Sequence, residues 1–169
     1  MVSGQRQLGA GSWEPHLAAT SNVAGDRDGT TGPTYAVLNP LRASVADRGN
    51  DLITEVVDAQ GQVHQDAGLT GEDVRTVFYD EVTGHNIAEP FWAFMTGTGE
   101  VYEAGVYAEG LLFENPFYAT GRPITEAYWA WVPVAGAERW VLLQAFERRV
   151  LTYTPGNPEG WQVEAGNVG

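Results

Sequence analysis

The sequence predicts a mainly β protein built of antiparallel hairpins with one or two short helices, and three observations predict it. Residues 128–134 and 140–146 are apolar, aromatic-rich runs on either side of the turn sequence AGAER. Residues 74–79 alternate in side-chain direction as a strand does. Finally, RTVFYDEVTGHNI (75–87) and RVLTYTPGNPEGWQV (149–163) follow one pattern. In each, an Arg opens a short apolar run, a Tyr follows four residues later (Tyr79, Tyr153), and a Gly-containing polar turn leads to a β-branched residue (Ile87, Val163). Self-similarity of this kind points to repeated supersecondary units, which commonly present binding surfaces.

Taken in order, residues 1–33 are Gly-rich with little periodicity and read as an irregular or flexible lead-in, with a strand around residues 22–24. The remaining residues, 34–169, are expected to form a single compact β-rich domain. YAVLNPL (35–41) is apolar but broken by Asn39-Pro40, and proline has no amide to donate, so it predicts an edge strand or a turn. Residues 51–58 and the stretch from Val63 flank a hairpin turned at Gly61. In 74–79, Val74, Thr76 and Phe78 fall on one face and Arg75, Val77 and Tyr79 on the other. Pro90 suits a first helical turn, and Phe91, Trp92, Phe94 and Met95 recur at helical spacing until Gly97 and Gly99. Residues 99–121 are expected to be loop-rich, interrupted by Gly105, Gly110 and Pro116. Beyond them, Trp129 and Trp131 share one face of the first hairpin strand. Residues 140–146 are apolar on both faces, the mark of a strand buried on both sides. Residues 150–153 continue into a third strand after Arg148-Arg149.

Composition limits the partners. With 169 residues, 43% hydrophobic and 11% aromatic, the chain can close a core of its own. Nine basic residues, all Arg, stand against 22 acidic ones, for a net charge of −13. Repulsion from phosphates disfavours nucleic acid and anionic membrane surfaces, and favours a neutral partner such as a glycan, or a cationic one. There is no cysteine, hence no disulfide, thiolate metal site or Cys nucleophile. No apolar run is long enough to cross a bilayer, so membrane insertion is not expected, and the first 20 residues lack the charged start and apolar core of a signal peptide.

GRPITEAYW (121–129) and LLQAFERRVLTYTP (142–155) resemble the LGFP-type repeats of bacterial cell-surface proteins. The matching positions are Gly121, Pro123, Thr125 and Glu126, then Gln144, Phe146 and Glu147, then Tyr153, Pro155 and Gly160. Tyr79, Gly84, His85 and Ile87 match the closing part of another copy, and the residues from Phe91 to Phe94 its short helix. The Leu-Gly-Phe that names the repeat reads Thr120-Gly121-Arg122. Residues 32–169 also resemble exported proteins of thermophilic Chloroflexota in the runs GPTYAVLNPL, TGHNIAEPFWAFM, FYATGRPITEAYW and RRVLTYTPGNPEGWQVEAGNVG. The resemblance implies two LGFP-like repeats, with closing motifs at 75–95 and 149–169, and a location outside the cell or on its surface. The pattern of those proteins continues past GNVG, so the second copy is expected to lack its closing helix.

Candidate chemistry falls into three sets. Trp92, Trp129, Trp131, Trp140, Tyr153 and Trp161 could offer flat faces to sugar rings, or could fill the core of a small β domain. Asp80, Glu126 and Glu147 could supply the acid and base of a glycosidase if folding sets two of them roughly 5–9 Å apart; otherwise they serve as caps or Arg partners. Arg148 and Arg149 point to opposite strand faces, where a guanidinium would pair with Glu126 or Glu147 or recognise an acidic ligand. His16, His64 and His85 are isolated from one another and predict no zinc site; His85 or Asn86 would cap the helix after it. Asp26-Arg27-Asp28-Gly29-Thr30 begins like a calcium loop but lacks its third acid and distal Glu, and reads as a solvated turn. Neither a nucleophile elbow nor a phosphate-binding Gly loop occurs, and no cofactor is implied. The expectation is therefore a non-catalytic module binding polysaccharide or peptidoglycan. A small extracellular glycan hydrolase and a self-assembling surface protein are the alternatives, the last because repeats with exposed edges can stack.

Overall fold

A computed structural model describes residues 5–8, 11–15, 20–26 and 31–166. At its centre lies the expected hairpin, longer and tighter than the sequence implied: β9 (Pro123–Val134) and β10 (Ala137–Phe146) pair antiparallel with Trp131 opposite Trp140 and Trp129 opposite Leu142. The turn needs only Ala135 and Gly136, both at positive φ (52° and 78°), the pattern of a type I′ turn whose twist matches the strands. The Asp26 carboxylate accepts the amides of Ala135 and Gly136 at 2.8 and 2.9 Å and so braces it. On one side β11 (Val150–Tyr153) and then β12 (Val163–Ala165) extend the sheet antiparallel. On the other side β3 (Glu55–Val57) meets β9 in parallel at Val56 and Trp129, with β4 (Val63–Gln65) outside it. The result is a six-stranded sheet in the order β12-β11-β10-β9-β3-β4. Gly61, at φ 79°, turns the β3–β4 hairpin where expected.

Residues 141–146 of β10 are all buried because both sheet faces are covered. Val57, Tyr128, Val132, Val141 and Leu143 pack with Val23, Tyr35 and Leu38 on one face. Part of the anticipated lead-in is thus structural: Val23 and Ala24 are buried, and Gln5–Leu8 (β1) pairs with Ser12–Pro15 (β2). Residues 35–41 are neither strand nor simple turn. They enter two consecutive 3₁₀ helices, Tyr35–Leu38 and Pro40–Ala43, because proline at the start of a helical turn has no amide to satisfy.

The opposite face carries Val56, Trp129, Leu142 and Leu151 against Ile87, Phe91 and Met95. Its cover is a separate ribbon, β5 (Thr76–Asp80) with β6 (His85–Ala88), running straight into helix α1 (Glu89–Met95), with Pro90 in the first turn. The alternation expected across 74–79 is broken by a register shift between Thr76 and Phe78. A third 3₁₀ helix, Ala67–Glu72, buries Leu69 on this side. Residues 99–121 are loop only in part: β7 (Thr98–Glu103) and β8 (Val106–Leu111) form a further hairpin turned at Ala104 and Gly105, again both at positive φ.

Both similar segments, 75–87 and 149–163, do form antiparallel hairpins, with Tyr79 and Tyr153 in the first strand of each. The first hairpin is a ribbon of its own and leads into α1, whereas the second is the edge of the central sheet and carries a longer turn. Among the described residues no helix is long and apolar enough to cross a membrane.

Candidate functional site

The aromatic residues divide by depth. Trp129 is fully buried, and its indole Nε1 donates to the Ile53 carbonyl at 2.8 Å, so it has no face to offer a ligand. Trp92, on α1, lies flat on Phe78 with centroids 3.9 Å apart and closes the seam between helix and ribbon. Two residues beyond Trp129 on the same strand face, Trp131 emerges past the cover of α1 and is 48% exposed. It meets its cross-strand partner Trp140 edge to face, with centroids 4.9 Å apart and an interplanar angle of 62°.

Trp140 also borders a shallow hollow of about 230 Å³ with Glu72, Arg139, Thr154, Pro155 and Gly156. Tyr153, half-buried in the neighbouring strand, has its phenol held above the usual range by burial, then by Glu72 and Glu89. Trp161, 68% exposed, stands in the long turn between β11 and β12.

Each of the three carboxylates has hydrogen-bond partners of its own. Asp80 is 1% exposed; one oxygen accepts Arg122 Nη1 at 2.7 Å and the other accepts the amides of Val82 and Thr83 at 2.8 and 3.3 Å. It shapes the β5–β6 turn. Glu147 accepts the Arg122 amide at 3.0 Å and borders a hollow of about 270 Å³ with Phe117, Tyr118, Arg122 and Arg148. Asp80 and Glu147 are thus linked through Arg122, whose guanidinium also lies over the Phe117 ring. Arg148 donates to the Tyr118 carbonyl, not to Glu126 or Glu147 as expected, because the bend after β10 turns it back over the 112–122 loop.

Glu126 is built into a different junction. It accepts His85 Nδ1 at 3.0 Å, the Asn86 amide at 3.2 Å, Asn86 Nδ2 at 3.4 Å and the Ala46 amide at 3.3 Å. His85 and Asn86 are therefore not helix caps. Both belong to the extended strand β6, and the N-cap of α1 is Ala88, without a side-chain cap. Glu126 instead fastens the β5–β6 ribbon and residue 46 to β9.

Beside Glu126 a cleft of about 290 Å³ opens where β3 parts from β9, bordered by Asp47, Asp51, Glu55, Asn86 and Tyr128. Tyr128 has its phenol pushed up to about 12 by burial, then by Glu126 and Glu55. No local signal in the sequence marks this cleft, since its walls come from segments tens of positions apart. Among the described residues no three His, Asp or Glu side chains converge closely enough to hold a metal ion. Of the calcium-loop-like run only Asp26 is described, and it serves the β9–β10 turn; residues 27–30 and His16 lie outside the described residues. No protein-family model, curated protein or solved structure matches the chain.

Proposed function

We propose that the protein is a non-catalytic module of the cell exterior that binds polysaccharide or peptidoglycan through an aromatic face centred on Trp131 and Trp140. The observation that carries this reading is the Trp131–Trp140 pair, an exposed indole held at a fixed angle by its neighbour on a strand braced on both sides. Sugar rings have flat C–H faces that stack on indole, and a rigid aromatic gains contact area at little entropic cost. Arg139, Glu72 and the open backbone of Pro155-Gly156 border the same hollow and supply polar partners for sugar hydroxyls. A net charge of −13 suits a neutral polymer better than an anionic one. The location at the cell exterior rests on the resemblance to LGFP-type surface repeats.

Retention on insoluble polysaccharides and purified peptidoglycan tests the proposal, with released reducing ends measured in the same tubes. Retention without release is expected. Trp131→Ala should lower it about tenfold, in line with the loss of one stacking partner at an exposed site, with an unchanged circular dichroism spectrum. Trp92→Phe, which changes a helix-to-ribbon contact, should leave retention as it was. Release of reducing ends abolished by Glu126→Gln would replace binding with hydrolysis.

A further inference from the structure

We infer that Tyr102 and Tyr107 form an oxidative cross-linking site, at which a haem peroxidase acting with hydrogen peroxide joins the two phenols as dityrosine and staples the β7–β8 hairpin. The two residues stand directly opposite each other, so both rings leave the same face of the ribbon. Their centroids are 4.9 Å apart with planes inclined by 51°, which brings the ring edges into contact. Both are open to a large oxidant, at 65% and 70% exposure. The other tyrosines lack one property or the other. Tyr35 and Tyr128 are buried, and Tyr79 and Tyr153 are half-buried. Tyr118 is exposed but has no ring contact with another tyrosine among the described residues.

The hairpin is built in a way that such a bond would correct. A two-stranded ribbon with no third strand is marginal in water, and β7–β8 is a sheet of two strands only. Glu100 faces Glu109 next along the face that carries the tyrosines, and like charges set opposite each other oppose closure. Gly99 opposite Gly110 adds no side chain to the pairing. At the tip Ala104 sits at φ 50°, a conformation that a residue with a Cβ rarely adopts. The ring contact between Tyr102 and Tyr107 is therefore the main cross-strand attraction. A disulfide is not available to reinforce it, because the chain has no cysteine.

The chemistry balances with one peroxide per staple. Each phenol gives one electron and its hydroxyl proton to the peroxidase, leaving two tyrosyl radicals. A carbon–carbon bond forms between the ring positions ortho to the two oxygens, and on each ring the hydrogen at the joined carbon moves to the oxygen, restoring the phenol. The two electrons and two protons reduce hydrogen peroxide to two waters. Proximity directs the radicals to each other. Groups held in a reactive geometry reach effective molarities of about 10⁵ M or more, far above the concentration of any second chain. The net charge of −13 also keeps copies apart. The staple thus forms within one chain, at a place separate from the Trp131–Trp140 pair.

Treating the protein with a haem peroxidase and hydrogen peroxide tests the inference. The expected product is a single chain lighter by two hydrogens, with the blue fluorescence of dityrosine. A glutamyl endopeptidase cuts after Glu100, Glu103 and Glu109, so residues 101–103 and 104–109 should travel as one joined species. Tyr102→Phe and Tyr107→Phe should each lower the yield of this product at least about tenfold, while Tyr118→Phe leaves it as it was. Both ring positions are exposed, so the variants should keep the wild-type urea midpoint. In the stapled protein the amides of 98–111 should exchange about tenfold more slowly than before, as a cross-link across a short loop predicts. Chain-to-chain coupling as the main product, an undiminished yield in Tyr102→Phe, or a link made through Tyr118 would overturn the inference.

Discussion

Gln144 shows how much one residue can hold. It is fully buried; its Nε2 donates to the Asn86 and Thr125 carbonyls at 2.6 and 2.9 Å, and its Oε1 accepts the Ala88 amide at 3.3 Å. One side chain thus binds β10 to β9 and to the end of the β5–β6 ribbon. Gln144→Leu keeps the volume but strands three buried backbone groups, and should cost about 3 kcal/mol or more at roughly 1–3 kcal/mol each, measured by urea unfolding. Trp129→Ala should cost about 3–5 kcal/mol in the same measurement, the range for emptying a buried aromatic site. Tyr128 makes a prediction in pH. Its folded pKa of about 12 exceeds the ordinary value of 10, so the folded state holds this proton more tightly than the unfolded chain. Its contribution is complete below pH 10 and is lost as pH rises towards 12. Urea midpoints measured between pH 9 and 12 should fall less in Tyr128→Phe than in the wild type. The apolar character of 140–146 revealed in the sequence that Gln144 sits among buried residues. Its partners were not legible, because Asn86 and Ala88 lie more than fifty positions away.

The elements were legible in proportion to how local their causes are. The β9–β10 hairpin, the turn at Gly61 and helix α1 follow from alternation, turn residues and Pro90, all readable within a short window. β7–β8 was missed because Gly99 and Gly110, directly opposite each other, and the facing Glu100 and Glu109 are poor strand formers. The available signal was Tyr102 and Tyr107, placed symmetrically about Ala104-Gly105, whose rings meet at 4.9 Å. This hairpin exposes Tyr102, Val106, Tyr107 and Leu111 and stands off from the sheet. Its amides should exchange fastest among the described strands, and replacing its tip with a shorter turn should leave the unfolding midpoint almost unchanged. Gly25 is the opposite case. At φ 78° a Cβ would lie 2.6 Å from the Pro133 carbonyl oxygen and 2.9 Å from Val132 Cβ. Gly25→Ala would push residues 22–26 off β9, at a cost of about 1–3 kcal/mol for a strained backbone alone.

For the whole molecule, the charge of −13 works against compactness at low ionic strength, so the thermal midpoint should rise as salt is added up to about 0.15 M, where the screening length is about 8 Å. The sequence by itself determined the class of fold, the main hairpin and the strongly negative net charge, because strand period, turn chemistry and net charge are properties of neighbouring residues or of simple sums. Only the tertiary structure decided which tryptophans are core and which are surface, that β3 joins β9 in parallel, and that Glu126 faces His85 and a cleft rather than Arg148 or Glu147. Trp129 and Trp131 are alike in sequence and lie on one strand face; what separates them is where α1 and the β5–β6 ribbon stop covering the sheet. That limit is set by contacts between residues about forty positions apart, and no local pattern records it.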